Sequence, residues 1–361
     1  MEIWIGMVVA VYILNIASSF QHKGTIRITA LFLLVLVTIM SAIRNEIGED
    51  YSSYVKLFYV CDMTKWILPY PEISFQIIVT FMHYIGLNHQ SMFCLYSIAI
   101  SIFIWKSSKI YVQNQQYRLL FISMWVMGAF DIGWWFSMNV IRQYLAVSIM
   151  FYAYNFLIKS NYKKYVLLCL ISSIIHISAL LLLIFPVIMK IRCNKLSCYV
   201  MVFLTILFSY SYSNHFITLV VSNIGIYAEY LDINKLDQGI GFSAYFFLIQ
   251  CIFLIYKLNW NIKDEYVVGV FITIATMLKF TMVRPYSRIN AFFSIMFIVA
   301  WIMILARQCL RDNVIVSLIV LGIYAMTFLY NINAASSGHL EDWRVSAGNI
   351  NYTVNMNLFD E

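Results

Sequence analysis

The sequence predicts an all-α polytopic integral membrane protein, a bundle of about 10–12 transmembrane helices with one broken hairpin or re-entrant segment. Three observations lead to that expectation. Of 361 residues, 62% are hydrophobic and 11% are charged, whereas soluble domains carry roughly a quarter charged residues. Mean hydropathy is +0.79, and apolar runs recur almost end to end at the length of about 20 residues that crosses a bilayer. Short basic segments alternate along the chain with acidic ones, as orientation by the positive-inside bias requires.

The first run, Ile3 to Phe20, lacks a positive n-region and a small-residue cleavage site, so it reads as a retained helix rather than a secretory signal. Further spans are expected at approximately 28–43, 90–105, 118–133, 138–158, 198–214, 243–257, 265–283, 286–306 and 313–332. Lys23/Arg27, Lys106/Lys109/Arg118, Lys159/Lys163/Lys164, Lys190/Arg192/Lys195, Lys257/Lys263 and Arg307/Arg311 mark the cytoplasmic side. The segments between them are acidic. Residues 43–73 set Arg44, Lys56 and Lys65 against Glu46, Glu49, Asp50, Asp62 and Glu72, and the loop near 215–242 sets Lys235 against Glu229, Asp232 and Asp237. Each is therefore −2, both are expected outside the cytoplasm, and both termini follow them there.

Two stretches break the simple count. Residues 74–89 are apolar but hold His83 and His89, and a full crossing there would invert everything downstream, so an interfacial or re-entrant helix is expected. Residues 166–189 lie between two basic loops, which places both ends on one side. Two half-helices meeting near His176 satisfy that condition, since irregular backbone is tolerated at membrane depth where protein or a watery cavity surrounds it. Residues 1–332 thus form one membrane domain, and the polar tail 333–361 is expected on the outer surface without assigned chemistry.

Several function classes lose support. The net charge of +7 is scattered among short loops, so nucleic acid is not an expected partner. The seven cysteines form no C-x-x-C pair, and His83, His89, His215 and His339 have no ligand spacing, so no metal or other cofactor is expected. Phosphate-binding glycine loops, H-E-x-x-H and G-x-S-x-G are missing.

What remains unusual is basic charge on the outer side. Arg44, Arg142, Lys279, Arg284 and Arg288 all fall at expected outer helix ends, where orientation bias should deplete them. Arginine's planar fork binds phosphate in bidentate fashion, so the set suits a pyrophosphate at the outer interface. The alternative is that each arginine snorkels to headgroups or pairs with Glu49, Asp50 or Asp131. His176, alone in the run SSIIHISALLLL, is either a packing residue served by Ser172, Ser173 and Ser178 or a general base. Gly48 permits a turn beside Glu49 and Asp50, whose carboxylates, with Tyr51 and Tyr54, suit sugar hydroxyls; Trp134, Trp135 and Tyr286 are placed for stacking on a glycan.

Three blocks then carry a family resemblance: R-x-x-x-G-x-D-Y-x-x-Y at Arg44, Gly48, Asp50, Tyr51 and Tyr54; I-R-Q-x-x-A at Ile141, Arg142, Gln143 and Ala146; and I-H-x-S-A-L at Ile175, His176, Ser178, Ala179 and Leu180. Arg284 and Arg288 supply a looser fourth. The sequence resembles the EpsG-type family of Wzy polymerases of O-antigens and exopolysaccharides. The resemblance implies a glycosyltransferase at the periplasmic face of the bacterial inner membrane, working without a nucleotide. It would move a growing glycan from undecaprenyl pyrophosphate onto another lipid-linked repeat unit, with membrane lipid around it and a chain-length regulator as a further partner. His176 is then the expected base, Asp50 the alternative, and Arg142 and Arg288 the foremost pyrophosphate ligands. A flippase or transporter of the same lipid-linked sugar is the rival class. A membrane O-acyltransferase would use the histidine but leave the outer arginines unexplained.

Overall fold

An apolar helix in water hides one stripe; here both sides of the helices are apolar. The computed structural model describes residues 2–48, 50–61, 72–128, 132–191, 193–208, 242–280, 284–307, 310–336 and 353–354. In α1 (Glu2–Ser18) the buried positions Trp4, Met7, Val11, Asn15 and Ser18 repeat at helical spacing, while Ile5, Val9, Ile13 and Ile16 are exposed. In α2 (Lys23–Ile43) Ile26, Ala30, Leu33, Val37 and Ser41 are buried, while Ile28, Phe32, Val35 and Ile39 are exposed. An exposed face as oily as the core is the signature of lipid contact. The chain is an all-α polytopic membrane protein. Among the described residues, Lys23–Ile43, His89–Tyr111, Ile289–Arg307 and Val314–Asn333 are each long and apolar enough to cross a membrane.

The chain divides into two units, Met1–Ile184 with Gln308–Glu361, and Phe185–Arg307. The first contains α1 and α2, the short α3 (Tyr51–Val60) and α4 (Ile73–Tyr84), then α5 (His89–Tyr111), α6 (Gln115–Val126), α7 (Trp134–Asn139), α8 (Ile141–Ile158), α9 (Tyr162–Ile175), a 3-10 helix (Ile177–Ile184) and finally α16 (Leu310–Ser336). α8 is its axis, with 15 of its 18 residues buried. It packs on α5 and α9, while α2 packs on α5 and α6. Polar side chains join the helices: Asn15 Nδ2 donates to Ser123 Oγ at 2.7 Å, Thr38 and Ser101 share a 2.6 Å hydrogen bond, and Trp125 Nε1 donates to Tyr144 OH at 2.8 Å. Such bonds average about 0.6 kcal/mol in membranes, so they act more as register marks than as the main cohesive force. One β-pairing occurs among the described residues, β1 (Arg44–Asn45) running antiparallel to β2 (Thr353–Val354).

Three expected spans are interrupted. The run 118–133 ends as a helix at Val126, because Gly128 and Gly133 bring their backbones together; a Cβ on Gly128 would lie 2.7 Å from Gly133 Cα. The run 138–158 is split at Val140 (φ −117°, ψ 61°) into α7 and α8. The run 286–306 is split at Ile295 into α14 (Arg284–Ser294) and α15 (Met296–Arg307). The two ambiguous stretches resolve as short elements. α4 has 12 residues, about 18 Å of helix, too short to span. At 166–189 the chain reverses at His176, and the 3-10 helix returns along α9: Tyr165 OH donates to Leu182 O at 2.8 Å, and Cys169 Sγ contacts Ala179 O at 3.1 Å. The broken hairpin is therefore present, with His176 at its tip.

The second unit comprises α10 (Phe185–Ile188), α11 (Lys195–Phe208), α12 (Phe242–Lys257), α13 (Lys263–Phe280), α14 and α15. Trp301 Nε1 donates to Gln250 Oε1 at 2.9 Å, and Arg307 pairs with the buried Glu265 at 2.5 Å. The expected outer loop 215–242 up to residue 241, and the tail beyond Ser336 apart from Thr353–Val354, lie outside the described residues.

Candidate functional site

Glu72 immediately precedes α4 and does not cap it with its side chain. Its carboxylate, only 7% exposed, instead joins two basic groups: Oε2 pairs with Arg142 Nη1, and Oε1 meets His176 Nδ1. A carboxylate at a helix N-terminus is also favoured by the helix dipole. Three elements converge to make this cluster. Arg142 is the second residue of α8, placed there by the break at Val140, and its guanidinium lies 4.8 Å from the Phe75 ring centroid and 5.3 Å from that of Tyr54. His176 is the C-terminal cap of α9; its N–H donates to Ser172 O at 2.9 Å, and its own carbonyl accepts from Ala179 N at 3.0 Å. Ser172 Oγ donates to Ala146 O at 2.9 Å, tying the hairpin to α8. From α4, Ser74 Oγ donates to Ile174 O at 2.7 Å.

The chemistry follows from this geometry. With Nδ1 engaged by a carboxylate, the imidazole is oriented and its neutral tautomer carries the lone pair on Nε2, which is the arrangement a general base needs. No described residue bonds Nε2. Arg142 brings a permanent positive charge beside it, and its buried Nε has no hydrogen-bond partner among the described residues. Tyr54 closes one wall within hydrogen-bonding reach of Arg142; burial pushes its phenol up, while the guanidinium pulls it partly back. Tyr96 OH is buried nearby, without a hydrogen-bond partner among the described residues.

The expected serine partners do not serve His176: Ser172 and Ser173 hydroxyls go to backbone carbonyls, and Ser178 Oγ has no hydrogen-bond partner among the described residues. Arg44, expected at a phosphate, is fully buried. Its Nε donates to Ile47 O at 3.2 Å, Nη1 to Ser41 O at 2.5 Å and Nη2 to Met138 O at 3.0 Å, over the Phe93 ring at 4.4 Å. It ties α2, the following turn and α7 together. Gly48, at φ 106°, makes that turn possible. Tyr51 stacks on Phe93 at 4.7 Å and donates to Asn45 Oδ1 at 3.1 Å. Asp50 starts α3, its carbonyl accepting from Tyr54 N at 2.9 Å. Trp134 Nε1 donates to Ser41 Oγ at 2.5 Å, and Trp135 packs edge-on against Trp4 at 5.1 Å, so both serve the bundle.

Glu49 and Asp131 lie outside the described residues. In the second unit, the Lys279 ammonium stands 5.4 Å from the Phe247 ring centroid. Arg284, Tyr286 and Arg288 open α14, but their side chains are outside the described residues. Among the described residues no group of three or more His, Cys, Asp or Glu could hold a metal ion. The residue that sequence reasoning missed is Glu72. Its only mark in the sequence is a lone acid before an apolar run, and its partner His176 is 104 residues away.

No curated protein and no solved structure matches the chain. A family model does match, over residues 27–353, a range that contains every residue of the cluster and all three sequence blocks. That match covers most of the chain, and the protein belongs to the EpsG family.

Proposed function

We propose that this protein is a polysaccharide polymerase that transfers a glycan from undecaprenyl pyrophosphate onto a second lipid-linked repeat unit at the periplasmic face of the inner membrane. The observation that carries the proposal is the Glu72 carboxylate joining His176 and Arg142 at the hairpin tip. His176 Nε2 takes the proton from the acceptor hydroxyl as that oxygen bonds to the donor's anomeric carbon. The bond from that carbon to the pyrophosphate breaks on the opposite face, inverting the configuration, and the leaving group departs as an anion. Glu72 holds the imidazole in the required tautomer and stabilises its protonated form, as a carboxylate does in other histidine bases. Arg142 offers the leaving group its remaining donors and its charge. Arg284 and Arg288 are further phosphate ligands in this reading, Lys279 a further cation, and Asp50 the alternative base; Glu49 and Tyr51 are left to the glycan.

A transporter reading draws on the same cluster, since a buried carboxylate beside a histidine also suits a proton relay. A polymer ladder on a silver-stained gel separates the two. In a strain lacking the gene, a lost ladder with a single added repeat unit retained supports the polymerase; loss of that first unit as well supports transport and overturns the proposal.

A further inference from the structure

At the opposite end of α2 from Arg44, the structure has a second basic feature. α2 has 21 residues, about 30 Å of helix, so this end lies a hydrocarbon thickness away from the Arg44 turn. A cavity of about 480 Å³ opens there, lined by Lys23, Gly24, Arg27, Gln113, Asn114 and Gln115. Two helices begin at it. α6 is capped by Asn114, whose side chain accepts from Gln116 N at 2.9 Å, but α2 has no side-chain cap, and neither helix has an acid in its first turn.

Helix N-termini carry partial positive charge and attract anions; here the added side chains are basic. Lys23 and Arg27 make no ion pair among the described residues. Arg118 stands behind them, 6% exposed, with Nη1 on Gln115 Oε1 and Nη2 on Val112 O, both at 2.8 Å. Its Nε is buried without a hydrogen-bond partner among the described residues. Gly24 has nothing within 4 Å of where a Cβ would stand, so a ligand can reach the backbone of the uncapped first turn. Orientation bias accounts for bases on this side, but not for two of them lining one cavity without an acid, beside an open helix start.

We propose that this cavity binds the phosphate of an anionic phospholipid headgroup. Basic pockets between transmembrane helices suit such headgroups, and the surrounding lipid supplies them at high local concentration. The site is separate from the Glu72 cluster and does not depend on the reaction proposed there.

The test uses the full-length protein in nanodiscs and in detergent. Thermal unfolding and native mass spectrometry are measured with phosphatidylglycerol, with phosphatidylcholine and with inorganic phosphate. Phosphatidylglycerol should raise the melting temperature and remain bound, and phosphatidylcholine should not. Lys23→Gln with Arg27→Gln should weaken the lipid effect roughly 30-fold, taking about a fivefold loss for each basic residue. Gly24→Leu, which fills the mouth without changing charge, should weaken it as well. Lys163→Gln with Lys164→Gln removes equal charge elsewhere and should leave it intact. A lipid effect that survives both cavity variants, or is lost equally in the Lys163/Lys164 control, overturns the proposal. Stabilisation by inorganic phosphate but not by phosphatidylglycerol would assign the cavity to a soluble phosphate and overturn the headgroup reading.

Discussion

Glu72 carries one negative charge between two basic groups, which makes it the most sensitive residue of the cluster. Removing one partner of a buried ion pair leaves an uncompensated charge and typically costs 3–5 kcal/mol. Glu72→Gln should therefore lower the melting temperature and abolish polymer formation. Glu72→Asp should recover part of the fold without restoring the reach to His176. The pair of measurements, melting in detergent and ladder on a gel, separates these effects. His176→Ala should abolish the ladder while leaving protein in the membrane; an active variant would return this histidine to packing and leave Asp50 as the base to test. Arg142→Lys keeps charge but loses the planar fork, so activity should fall at least tenfold, about 1.4 kcal/mol, with normal expression. Arg142 and His176 were legible because a charge or an imidazole in an apolar run is conspicuous. Glu72 was not, because it sits among other loop acids and its partners are distant in sequence. Arg44 looked like Arg142 in the sequence, and only the fold directs its donors to backbone carbonyls.

Among the elements, the hairpin of α9 and the 3-10 helix presents His176. Its return limb is held by side chains as well as packing, since the Tyr165 hydroxyl is committed to Leu182 O and Ser172 anchors α9 to Ala146 O. Tyr165→Phe removes that buried hydrogen bond and should cost about 0.5–1.5 kcal/mol, read as lower thermal stability with a parallel loss of activity. Gly128→Ala tests the other irregular element: its Cβ would collide with the Gly133 backbone, and overpacking of this kind costs about 1–3 kcal/mol. The hairpin was legible from the basic loops at its ends, which demanded an even number of passages. The breaks after Val126, at Val140 and at Ile295 were not, because hydropathy stays high through each; at the first, the approach of Gly128 to Gly133 is a tertiary contact that hydropathy does not report.

For the whole molecule, the hairpin makes a prediction that a full crossing would not. Its two limbs begin and end on one side, so reporter fusions at residues 162 and 190 should give the same reading, cytoplasmic by charge bias. A fusion at residue 110 should agree with them, and one at residue 232 should read periplasmic. Opposite readings at 162 and 190 would show that the segment crosses, and would overturn the proposed placement of His176 at the outer face.

The order in which the first unit is assembled has a consequence for biogenesis. Its sequence is interrupted by the entire second unit, and the last helix among its described residues, α16, returns to α1: Tyr12 OH donates to Leu318 O at 3.1 Å, and Trp4 packs edge-on against Phe328 at 6.3 Å. Those partners are 306 residues apart. At a synthesis rate of about 5–20 residues per second, α1 waits roughly 15 to 60 s for α16. A nascent chain is therefore committed to the bilayer long before its first unit can close, and a truncation that removes only the end of the gene leaves the oldest helix without its neighbour.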